Sequence, residues 1–157
     1  YQCGETWFQN KELISNIPKE KATYMGIKKL CENILDPIHE NFGKINLTYG
    51  FASLELTKKI KGRIYPITDQ HAGFEKKDNG EFICERLGQA VDFKIADVSS
   101  LKIGQWIIEN HLPFDRIYFY GSEKPLHISY GPENKKQIIH MKEYKKNKRV
   151  PQVIKSL

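Results

Sequence analysis

Ile27, Leu30, Cys31, Ile34 and Ile38 recur at intervals of three and four residues. That spacing puts them on one stripe of an α-helix and on no single face of a strand. The stripe predicts an amphipathic helix over 19–41, with Cys31 as inert core. Pro37 sits inside it without an amide hydrogen, which predicts a bend or a restart. Such a stripe must pack on something, and the segments after Gly43 supply it. Residues 45–49 (INLTY) alternate like a short strand, and 89–95, 116–120 and 126–130 are predicted as further strands. Ser99 or Ser100 caps a predicted helix running to Asn110, with Ile103, Trp106 and Ile107 on its inner side. A further helix is predicted over 52–60, ended by Gly62, followed by a long loop over 63–81. Helices and strands mix without regular βαβ alternation, which predicts an α+β domain.

At 157 residues one domain is expected. It divides into an irregular segment over 1–18, with Trp7 and Phe8 as packing anchors, a core over 19–131 and a basic segment over 132–157. No run of eighteen apolar residues exists, so no membrane span is expected. Tyr1 is not an initiator methionine and no apolar leader follows it, so a processed, trimmed or excised chain is expected. Cys3, Cys31 and Cys84 are odd in number and widely spaced, which argues against a disulfide framework and favours a reducing, cytoplasmic setting. The net charge is +6, yet residues 135–155 hold eight Lys/Arg against the single acidic Glu143, leaving the rest near neutral. This basic segment, predicted as a helix over 133–147 opened by Pro132, is a candidate polyanion contact or simply a solvated face.

Chemistry concentrates in three stretches: DQHAGFE, RLGQAVDF and PLHISYG. They supply His71, Asp92 and His127, two imidazoles and a carboxylate. This is the donor set that holds a catalytic zinc with a fourth position open. Asp115 is a candidate to accept the other ring N–H of a ligating histidine, or a turn residue at a strand start. Tyr118 and Tyr120 share one strand face that is placed to line a cleft. His39, His111 and His140 read as structural or surface residues.

The order of these pieces resembles the zinc D,D-peptidases of the hedgehog/D-Ala-D-Ala carboxypeptidase superfamily, over about residues 25–131. Their pattern runs SGYRS, then SxHxxGxAxD, then a segment ending in HxS, against TYGFAS, DQHAG with LGQAVDF, and PLHISYG here. The resemblance implies a small antiparallel sheet flanked by helices, with zinc on His71, Asp92 and His127.

The chain departs from that pattern in three places. The family's first His stands seven residues before its Asp, a position held here by Glu85, whereas His71 stands twenty-one before Asp92. Residues 72–85 then read as an insertion, the rival being Glu85 as a substituted ligand. The family's arginine falls on Ala52, leaving Arg86 or Arg116 as substitutes. The family's general base, a Glu shortly before the last His, has no match in position, and Glu123 and Glu75 are the nearest candidates.

The function expected from the resemblance is a zinc-dependent hydrolase acting on a peptide or amide, such as a cell-wall stem peptide. Two alternatives stand beside it. One is a zinc-bearing binding module whose catalysis has decayed. The other is a hydrolase of a phosphate-rich or nucleic-acid substrate.

Overall fold

A computed structural model describes residues 2–60, 65–145 and 148–157. The predicted helix terminator Gly62, the start of the predicted long loop and part of the basic segment lie outside the described residues.

The N-terminal segment is not wholly irregular: it contains a short helix, α1 (Glu5–Asn10). Phe8 is exposed there and anchors nothing, while Trp7 is half-buried. The apolar stripe forms α2 (Lys21–Leu30) and α3 (Asp36–Phe42), joined by a π-helical turn over Cys31–Leu35. Asp36 N–H bonds back to Cys31 O, five residues away. The widened turn lets the helix continue past Pro37, which has no amide to give. Leu30, Ile34 and Ile38 are fully buried, as the stripe requires.

Six strands follow: β1 (Ile45–Tyr49), β2 (Gln89–Ile95), β3 (Arg116–Phe119), β4 (Leu126–Tyr130), β5 (Gln137–Lys145) and β6 (Lys148–Ile154). Between them lie α4 (Leu54–Lys59), capped by the Ser53 side chain, and α5 (Ser100–Glu109), capped by Ser99. The fold is α+β. The sheet order is β1-β2-β4-β3-β5-β6, with every pairing antiparallel except β3 with β5. The sheet is therefore mixed, not the purely antiparallel one expected. Among the described residues, the basic helix predicted over 133–147 is absent. In its place β5 and β6 form an antiparallel hairpin.

One face of the sheet carries the core. Val91, Phe93, Ile117, Leu126 and Ile128 pack with Leu30, Ile34 and Ile38 and with Ile103 and Ile107 of α5. Each side chain so buried contributes roughly 1.5–3 kcal/mol. With stability gathered on this face, the other is free to carry polar residues. No described helix is long and apolar enough to cross a membrane.

Candidate metal centre

Strand register assembles the site. Tyr49 pairs with Asp92, Asp92 with His127, His127 with Tyr118, Tyr118 with Ile139 and Ile139 with Val153. Cross-strand partners point to the same side of a sheet and lie within contact distance. One rung across all six strands thus sets an acid and an imidazole side by side, flanked by two phenols. The register of β1 slips between Leu47 and Tyr49. Ile45 and Leu47 face the core, and strict alternation would send Tyr49 there too. The bulge turns Tyr49 to the other face.

His71 comes from outside the sheet, on a 3₁₀ turn (Gln70–Ala72) capped by the Asp69 side chain, which accepts from His71 N. Ala52 N and Gln89 Nε2 both donate to His71 O. Gln70 reaches under the turn, donating to Leu87 O at 2.7 Å and to Asp115 Oδ2 at 2.8 Å. Gly73 leaves the turn at φ +66, and a Cβ there would lie 2.7 Å from both Gln89 Oε1 and Thr23 Cγ2, so only glycine fits.

The turn presents an almost fully buried imidazole to the rung. His71 Nδ1–H donates to Gly50 O at 2.7 Å, which leaves the Nε2 lone pair facing the rung. From His71 Nε2 it is 3.2 Å to His127 Nδ1 and 3.3 Å to Asp92 Oδ1. His127 Nδ1 lies 2.7 Å from Asp92 Oδ1. Burial alone would lower the pKa of His71, but the carboxylates of Asp69 and Asp92 outweigh it and raise the value. Burial would raise that of Asp92, yet His127 and His71 hold it far below the usual carboxylate range.

These three atoms could hold a metal ion. Bonds of ~2.0–2.2 Å at a tetrahedral angle separate ligand atoms by roughly 3.3–3.6 Å. Two of the three separations already approach that spacing, and the third is a hydrogen bond that a cation would replace. A cavity of about 780 Å³ opens over the cluster. Its walls include Cys3 and Trp7 from the N-terminal segment and Met141 and Pro151 from the β5–β6 hairpin.

The sequence candidates fall on both sides of this cavity. Arg86 lines it, donating to Tyr118 Oη at 2.8 Å, and the Tyr118 ring stands edge-on to His127 with centroids 5.0 Å apart. Tyr118 and Tyr120 both line it, as their shared face implied. Glu85 is exposed and is not in the three-residue cluster. Glu75 is not brought to the site. It is buried at the start of α2, accepting from Lys19 N, Glu20 N and Thr23 Oγ1. Glu123 is exposed in the turn after β3 and does not line the cavity. Asp115 does not touch a ligating ring; it accepts from Gln70 Nε2 and Lys135 N and pairs with the buried Arg116. Arg116 also binds Glu133 and stays out of the cavity.

Three participants were not singled out from sequence: the carbonyl of Gly50, Tyr49 and Asp69. Asp69, in DQH, carried a visible signal, since an Asp side chain commonly accepts from the backbone amide two residues on, here that of His71. Tyr49 carried none, because its orientation depends on a bulge. No protein-family model, curated protein or solved structure matches this chain.

Proposed function

We propose that this protein is a zinc-dependent hydrolase of peptide or amide bonds, resembling the D,D-peptidases in its site and in its hedgehog-like fold. The observation that carries the reading is the convergence of His71 Nε2, Asp92 Oδ1 and His127 Nδ1 on one point beneath a large cavity. Two neutral imidazoles and a carboxylate suit zinc. Bound there, zinc supplies Lewis-acid polarisation of a carbonyl and a nucleophilic water near neutral pH.

The rest falls to this chain's own groups. As a water oxygen adds to the carbonyl carbon, a base must take its proton. Besides Asp92, the acidic residues that line the cavity among the described residues are Glu5 and Asp69. Asp69 is the better placed, because Oδ1 is fixed by His71 N while Oδ2 carries no hydrogen bond among the described residues. Asp69 takes the proton and returns it to the leaving amine as the C–N bond breaks. Arg86 holds a substrate carboxylate, and Arg149, 5.4 Å over the ring of the cavity-lining Tyr120, adds positive charge behind that wall. An anionic peptide such as a cell-wall stem peptide fits that charge.

Zinc-loaded protein assayed on acyl-D-Ala-D-Ala peptides and muropeptides tests the reading. Turnover is expected, with a loss of about 10²–10⁴-fold in Asp69→Asn at unchanged zinc content. One zinc per chain with no cleavage of any amide tried would instead favour a binding module. Glu75 and Glu123, the base candidates nearest the family pattern, both lie outside the cavity, and this observation favours that second reading.

A further inference from the structure

Tyr49 Oη is one of the few buried side-chain polar atoms without a hydrogen-bond partner among the described residues. A buried hydroxyl left unpaired is destabilising, because the hydrogen bonds it made to water are lost and not replaced. The bulge in β1 is what turns the residue to the cavity face, so local backbone geometry serves an otherwise unfavourable arrangement. The Tyr49 ring lies 4.2 Å from the His71 ring, tilted at 48°, and Tyr49 is the cross-strand neighbour of Asp92. It borders the same cavity as the three candidate ligands. The nearby carboxylates, Asp69 and Asp92, do not bond to it.

We propose that the Tyr49 hydroxyl is a catalytic hydrogen-bond donor to anionic oxygen bound in the cavity. The inference rests on the hydrolase reading and deepens it. When water adds to a scissile amide, negative charge collects on the former carbonyl oxygen, and a donor aimed at that position favours the transition state over the ground state. The family's arginine position is Ala52, fully buried and donating its backbone N–H to His71 O. It has nothing to offer substrate. Arg86 is half-buried and already committed by one nitrogen to Tyr118, at the far side of His127 from Tyr49. The two donors therefore flank the cluster from opposite sides of the rung: Arg86 for a substrate carboxylate, Tyr49 for the oxygen that becomes charged.

Tyr49→Phe removes the hydroxyl and nothing else. Its thermal midpoint should equal or exceed that of the wild type, because an unpaired buried hydroxyl has no bond to lose. Zinc content should stay at one per chain. The affinity of the zinc-loaded protein for acetohydroxamate, titrated by calorimetry, should fall about 10-fold or more. With turnover, kcat should fall about 10²–10³-fold while KM changes little. Equal acetohydroxamate affinity in the two proteins overturns the inference, whatever the turnover. So does a large drop in thermal midpoint, which would give the hydroxyl a structural bond. A wild type that takes up no zinc removes both this inference and the hydrolase reading. Hydroxyl-dependent acetohydroxamate binding without cleavage of any amide leaves the donor in place and removes only the hydrolase reading.

Discussion

A buried imidazole can ligate a cation only through the nitrogen that carries no proton, and in His71 the carbonyl of Gly50 decides which nitrogen that is. The same residue carries a testable pH dependence. Free of metal, its folded pKa is raised by Asp69 and Asp92 above the ordinary value of about 6.5. A raised imidazole pKa gives stability that is fully present below the unfolded pKa and is lost as pH rises through the folded one. Chelator-treated protein should therefore unfold at a higher temperature at pH 6 than at pH 9, and His71→Ala should flatten that difference. Cation binding runs the other way, because the proton must leave first. Apparent zinc affinity should rise between pH 6 and pH 8. A thermal midpoint of the metal-free protein that climbs over the same range would contradict this account of His71.

At the level of elements, Glu75 does its work away from the cavity. Its carboxylate takes the free amides of Lys19 and Glu20 and the hydroxyl of Thr23, closing the start of α2 from a distant loop. Glu75→Ala leaves those donors unpaired and should cost about 1–3 kcal/mol, read as a lower urea midpoint at unchanged slope, with zinc content intact. Loss of turnover at full stability would instead return Glu75 to the chemistry. Elements whose cause is local were legible in sequence. The predicted bounds of β1, β2 and β4 match the strands, and Ser99 caps α5. Elements whose cause is distant were not. β5 looks helical by charge and by Pro132, but it is held as a strand by parallel pairing with β3. The loop before it is set by Asp115, whose side chain takes Lys135 N and whose carbonyl takes Gln137 N. Pro151 and the charges of β6 then suit an edge that should not pair further.

Across the whole molecule, sequence revealed the three candidate ligands but not their surroundings. His71, Asp92 and His127 stand in recognisable local contexts, and donor type together with those contexts singled them out. The cavity, the rung through six strands and the orientation of Tyr49 depend on register, bulge and topology, which no short motif encodes. The basic segment, now a hairpin, walls the cavity instead of trailing from it. The central claim is that three residues from β2, β4 and a 3₁₀ turn hold one metal ion. Zinc content after equilibrium dialysis tests it most directly, in wild type, His71→Ala, Asp92→Ala, His127→Ala and Glu85→Gln. The account predicts one zinc per chain in wild type and Glu85→Gln, and a sharp fall in the other three. Equal zinc in wild type and His127→Ala would contradict it.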